Sequence, residues 1–150
     1  MRLRRAERRF NLTTQDYARL ADFRYALRGF LRFSEAAAAK AGLTAQHYQA
    51  MLVLRACPEG ECVTIADLAR QLLIKHNSAV ELVDRLMEEG LVAREVSRAD
   101  RRKVELHLTP GGRLILAKLA AMHRRELRRI GPLMKRFFGA LTRSARSAGS

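Results

Sequence analysis

Cysteine is scarce in this chain. Its two cysteines, Cys57 and Cys62, cannot build a multi-bridge framework. No apolar run reaches membrane length. The N-terminus is basic, but no long apolar stretch follows it to make a signal peptide. A reducing cytoplasm is therefore the expected location. Also missing are a glycine-rich phosphate loop, a metal-binding motif and a nucleophile signature. An enzyme is not expected, and no catalytic residue, metal site or cofactor is assigned. The four histidines, His47, His76, His107 and His123, are scattered and read as surface or packing residues. Acidic residues are few as well: 15 Asp and Glu face 29 Lys and Arg, a net charge of +14. Such an excess points to a polyanionic partner.

The excess is unevenly spread. Residues 64–109 hold eight basic and eight acidic groups, so this stretch is neutral. Residues 1–32 hold nine basic and three acidic groups, and residues 110–150 hold ten and one. At 150 residues the chain suits one domain.

The neutral stretch is the most structured in pattern. Thr64 is an N-cap with Asp67 three residues on, and Ile65, Leu68, Ala69 and Leu72 recur at helical spacing. A second helix, starting near Lys75, carries the stripe Ala79, Leu82, Val83 and Leu86. Its outward face is Ser78, Glu81, Arg85 and Glu88. Gly90 ends it in a position that wants positive φ. Val104, Leu106 and Leu108 then alternate with Lys103, Glu105 and His107, the period of a strand with one buried face. Two short helices and a hairpin fit a helix-turn-helix with a wing, or two ordinary core helices beside a surface hairpin.

The motifs Leu-Ala-x-x-Leu, Leu-Val-Asp-Arg-Leu, Glu-Gly-Leu-Val-x-Arg, Asp-Arg-Arg and Leu-Thr-x-x-Gly occur here in that order, with Leu43-Thr44-x-Gln46 upstream. In this register they resemble the MarR (multiple antibiotic resistance regulator) family over roughly residues 15–141. The resemblance implies a mainly α fold with a small antiparallel β-wing. It implies a winged helix-turn-helix over 45–109, dimerisation helices over 13–44 and 110–143, and tails at 1–12 and 144–150. It also implies a homodimer that binds a pseudo-palindromic operator in double-stranded DNA and represses transcription until an effector releases it.

The flanks suit that arrangement. One helix is expected over Thr14 to Ala41, with Tyr17, Leu20, Phe23, Leu27, Phe30 and Leu31 three or four residues apart. The next, capped by Thr44, reaches about Arg55. Thr109-Pro110 starts another, which Gly131-Pro132 is expected to break or bend before a last helix presents Leu133, Phe137, Phe138 and Leu141. Tyr17, Leu20, Leu133, Phe137, Phe138 and Leu141 are the candidate dimer residues.

The candidate base-reading residues are Lys75, His76, Asn77, Ser78, Glu81 and Arg85. Glu81 either accepts from cytosine N4 or lowers affinity by repulsion. The candidate wing contacts are Arg98, Asp100, Arg101, Arg102 and Lys103. The resemblance assigns the Asp100 and Arg102 pair to orienting an arginine in a minor groove. It also suggests an aromatic or anionic effector cleft, to which Phe23, Arg24, Leu27, His47 and Met51 are assigned by position, with simple packing as the other reading. Cys57 and Cys62 flank a Pro/Gly loop and are either inert or oxidised together. The five arginines within Met1 to Leu12 form either a solvated tail or a phosphate-tracking arm. The alternative reading of the whole chain is a basic nucleoid- or RNA-associated protein that binds without sequence preference.

Overall fold

A computed structural model describes residues 12–58, 61–98 and 100–146, with side chains up to residue 139. The arginine arm lies outside the described residues. Seven elements follow in order: α1 (Thr14–Lys40), α2 (Ala45–Ala56), α3 (Ile65–Leu72), α4 (His76–Glu88), β1 (Val92–Val96), β2 (Val104–Leu108) and α5 (Pro110–Arg146). The fold is mainly α with a small antiparallel β-wing. Its described residues divide into a helical unit, 12–33 with 124–146, and a winged unit within 34–123.

Local chemistry sets the helix boundaries of the winged unit. Gly42, at φ +73°, ends α1, and the Leu43 amide returns to the Ala38 carbonyl at 3.0 Å. Thr44 then caps α2, accepting from the His47 amide at 3.1 Å, while His47 Nδ1 accepts from the Thr44 amide at 3.2 Å. His47 thus occupies the position usually held by Glu or Gln in a capping box. Gly90, at φ +68°, ends α4 as expected from the sequence.

The core of this unit gathers Met51 from α2, Leu68 from α3, and Val83 and Leu86 from α4, all fully buried. Burying each such side chain contributes about 1.5–3 kcal/mol before the entropy of ordering it is counted. His123 of α5 is buried as well. Its Nδ1 donates to the Leu119 carbonyl at 2.7 Å, which leaves Nε2 to pair with Ser34 Oγ at 2.9 Å. Its ring stacks on Tyr48 at 4.1 Å. A histidine read only as packing is thus fully engaged in polar and aromatic contacts.

The sheet pairs Val92 with Leu108, Arg94 with Leu106 and Val96 with Val104. Val63 adds a bridge to Leu106 on the other edge. Val92, Leu106 and Leu108 are buried, but Val104 is not, at 43% exposure beside Val96 at 61%. The expected one-faced strand therefore holds for two of its three apolar positions. The last pair lies next to the turn, where the hairpin has run past the helices that cover its base.

The helical unit also departs from expectation. Gly131-Pro132 neither breaks the helix nor starts a new one, and α5 runs through to Arg146. Proline removes one amide donor but fixes φ near the helical value. Part of the clash that disfavours helix before proline is with the preceding Cβ, and Gly131 has none. In this unit Phe23 packs edge-on against Phe137 and Phe138, with ring centres 6.1 and 5.8 Å apart.

Glycine is obligatory at one further position. A Cβ on Gly112 would overlap the Leu91 carbonyl, whereas one on Gly29 of α1 would meet nothing within 4 Å. We expect Gly112→Ala to destabilise the protein by about 1–3 kcal/mol. Gly29→Ala should stabilise it by about 0.5–1 kcal/mol. Thermal unfolding followed by circular dichroism checks both; equal shifts of the two variants would contradict the close approach at Leu91.

Candidate nucleic-acid interface

Two short helices and the hairpin build one surface of the winged unit. At the start of α3, Thr64 Oγ1 accepts from the Asp67 amide at 3.2 Å, and Asp67 Oδ2 accepts from the Thr64 amide at 3.0 Å. Hydrogen bonds from the Thr64 hydroxyl and amide, helped by Arg70, hold the Asp67 carboxyl below its ordinary value. Removing such a cap costs about 1 kcal/mol. α3 ends at Leu73, which adopts a left-handed conformation at φ +55°. Its amide donates to the Ala69 and Arg70 carbonyls, and the Ile74 amide returns to Ala69 at 3.0 Å. Only Ile74 and Lys75 separate Leu73 from the start of α4 at His76, so the connection is the tight turn of a helix-turn-helix.

Lys75 is the N-cap of α4, and its side chain makes no capping bond. The first amides of α4 therefore have no capping side chain at the end where the helix dipole favours an anion. Lys75, His76, Asn77, Ser78 and Glu81 are all exposed. Arg85 is exposed too but belongs to the last turn of α4. It lies about 15 Å along the axis from Lys75. The structure thus splits the six candidate base readers into a group at the start of α4 and a separate arginine near its end. That arginine is close enough to α2 to affect His47.

The wing turn is built from backbone bonds. Ser97 N–H donates to the Lys103 carbonyl and Lys103 N–H to the Asp100 carbonyl, both at 2.9 Å. Asp100 Oδ1 accepts from the Arg102 amide at 3.0 Å. The Asp100 and Arg102 pairing therefore acts through the main chain: the carboxylate shapes the turn, and the Arg102 side chain stays exposed. Arg98, Arg101 and Lys103 are exposed with it. Asp84 of α4 and Arg94 of β1 pair at 2.8 Å and strut the helix against the hairpin. Sequence reasoning passed over this pair, although both residues sit inside the quoted motifs Leu-Val-Asp-Arg-Leu and Glu-Gly-Leu-Val-x-Arg.

Other candidate residues are less united. Phe23, Arg24 and Leu27 belong to the helical unit, His47 and Met51 to the winged unit. Met51 is fully buried in the core and has no surface to offer an effector. His47 is held in the α2 cap. Of the candidate dimer residues, Tyr17, Leu20 and Phe138 are 54, 43 and 53% exposed, whereas Phe137 is buried within its own chain. Leu133 is half-buried, and the Leu141 side chain lies outside the described residues. Burial and Glu61 push the Cys57 thiol up, and burial and Glu105 push up Cys62. Neither is primed as a thiolate. Among the described residues no cluster of His, Cys, Asp or Glu could hold a metal ion, and no helix is long and apolar enough to cross a membrane.

A helix-turn-helix strutted to a basic hairpin invites comparison with known proteins. The model of the MarR family matches residues 41–103, from the end of α1 to the wing turn. Over that stretch the chain is similar to the MarR family. An uncharacterized HTH-type transcriptional regulator of Bacillus subtilis, YsmB, is 32% identical over 66 residues, which are 44% of this chain and 45% of that protein. The chain thus spans less than half the length of the curated relatives it matches. Solved structures extend the likeness in fold. A variant of MepR from Staphylococcus aureus superposes with a TM-score of 0.73 at 16% identity, covering 91% of this chain and 99% of that one. AbsC, a MarR family transcriptional regulator from Streptomyces coelicolor, gives 0.68 at 22% identity, with coverages of 93% and 98%.

The cap of α2 titrates. Burial, reinforced by the Arg85 guanidinium and opposed by Glu89, pushes the His47 imidazole below its ordinary 6.5. Nδ1 can accept from Thr44 only when that nitrogen is unprotonated. In the window between the lowered folded value and 6.5 the unfolded chain binds more protons, so stability rises with pH there. We expect thermal stability to be full above 6.5 and to fall as pH drops through that window. His47→Gln keeps an acceptor at the cap and should remove this part of the pH dependence. Parallel pH profiles for the two proteins in thermal unfolding would contradict the assignment.

Proposed function

We propose that the chain is a sequence-specific DNA-binding transcriptional regulator of the MarR type, a cytoplasmic homodimer that represses from a pseudo-palindromic operator and is released by an effector. One observation carries the reading. The uncapped start of α4, with Lys75, His76, Asn77 and Ser78 exposed, and the basic wing turn stand on one helix and one hairpin that the Asp84–Arg94 pair links. A helix of this kind enters the major groove and reads base edges, and a wing arginine follows the adjacent minor groove. Glu81 on the outward face either accepts from cytosine N4 or tempers affinity. A variant of MepR, whose fold this chain shares, has been solved bound to an oligodeoxyribonucleotide.

The dimer is supported by what the helical unit leaves uncovered. Tyr17, Leu20 and Leu31 of α1 and Phe138 of α5 keep 43–54% of their surface. Aromatic and aliphatic side chains at that exposure suit the core of an interface between two copies. Release by an effector is supported by family likeness alone.

Light scattering at micromolar concentration should give a dimer, with recognition helices about 34 Å apart to match one DNA turn. A monomer that still binds its operator tightly would contradict this. Footprinting should find a discrete site, which the nonspecific alternative would not. Arg102→Ala should weaken operator binding by about 1–3 kcal/mol, whereas Asn77→Ala should relax preference at one base position. Equal, sequence-independent losses for both variants in a binding titration would favour the nonspecific reading.

A further inference from the structure

In the winged unit acidic and basic residues are nearly equal in number; Arg70 pairs with Asp67 and Arg94 with Asp84, while the cations of the α4 start and wing turn stay exposed. The helical unit is unbalanced in number. Between residues 124 and 136 of α5 there are six cations and one carboxylate, Glu126, and that carboxylate is held by Arg129 through two bonds of 3.0 and 2.6 Å. Arg124, Arg125, Arg128 and Lys135 are exposed. Among the described residues none of these four side chains has a hydrogen-bond or ion-pair partner.

Their spacing puts them together. At 100° per residue, positions 124, 125, 128 and 135 fall within about 100° of one another, on the side of α5 opposite buried Leu116, Leu119, His123 and Phe137. The row is about 16 Å long, the axial rise of about five phosphates along one DNA strand. Like charges at i and i+4, as in Arg124 with Arg128, destabilise a helix. α1 repeats the pattern with Arg24, Arg28 and Arg32, also exposed. Two helices of one unit thus carry unanswered cations at a spacing that a line of anions would relieve.

We propose that this face of α5 is a sequence-independent phosphate-binding surface for duplex DNA, made of residues separate from the winged unit. The identity of the polyanion rests on the regulator reading, because DNA is the anion that reading already brings to the protein. The face offers charge in a row and no base-reading geometry. It therefore adds affinity and salt dependence without adding specificity.

The test is a salt titration of the full chain on a short random-sequence duplex and on the footprinted site. A triple variant, Arg124→Ala, Arg125→Ala and Arg128→Ala, is compared with Arg102→Ala. The triple variant should keep its helix content by circular dichroism, since alanine favours helix and the repulsion is gone. Its slope of log K against log salt should fall by about 0.9 for each phosphate no longer neutralised, on both duplexes alike. The footprint should survive. Arg102→Ala should instead weaken binding at the footprinted site. An unchanged slope in a folded triple variant overturns the proposal. So does a loss confined to the footprinted site, which would make the face a reader of sequence. Binding of wild type to phosphatidylserine vesicles that the triple variant loses, with the duplex slope intact, would also overturn it, because the face would then serve a membrane. In each of these cases a persisting footprint leaves the regulator reading standing. Absence of any footprint in the wild type would remove that reading and leave the slope to judge the face alone.

Discussion

Four chain segments meet where α5 begins, within the span of two peptide groups. Thr109 Oγ1 donates to the Gly90 carbonyl at 2.7 Å, and its amide donates to the Leu91 carbonyl at 3.0 Å. The same hydroxyl accepts from the Gly112 amide at 3.0 Å and so caps α5. Gly112 lies so close to Leu91 that no side chain fits. Arg113 adds a bond to the Leu108 carbonyl at 3.0 Å. This junction ties the end of α4 to the start of β1, the end of β2 and the first turn of α5. The hairpin's direction of departure from α4 is set here. The exposed Asp84–Arg94 pair holds that direction but, as a surface ion pair, contributes only modestly by itself.

From that junction outward, burial and charge divide the chain differently. Apolar burial is densest in the winged unit, where alternating and helical periods both find partners. Net charge is concentrated in the flanking helices, while residues 64–109 are balanced. A stretch of balanced charge exerts little long-range pull on a polyanion, whereas flanks with a net positive charge exert more.

Much of this was legible in the residues. Thr64 with Asp67, Gly90, and the stripe Ala79, Leu82, Val83 and Leu86 are local signals, and each appears where its spacing predicts. Gly131-Pro132 misled, because proline forfeits one helical hydrogen bond yet holds a helical φ, and Gly131 lacks the Cβ that adds to the clash before it. Val104 misled because period two reports which face a side chain takes, not how far the covering helices extend. For Met51 helical spacing leaves cleft and packing both open, and burial decides for packing. The wing's Asp100 bond to a main-chain amide, the Ser34–His123–Tyr48 cluster and the Asp84–Arg94 strut join residues up to 89 positions apart or depend on backbone direction. No local pattern encodes such meetings, although Gly112 does leave a trace in Leu-Thr-x-x-Gly.

The passage of α5 through Pro132 has a mechanical consequence. A helix of 37 residues is about 55 Å long and otherwise stiff. At residue 132 there is no amide to reach the carbonyl of Arg128, so one rung of the ladder is missing. Gly131 beside it adds a backbone with little torsional resistance. Bending compliance in α5 is therefore concentrated at that step. When the helix is loaded from either end it yields there first, just before the segment that carries Phe137 and Phe138 against Phe23.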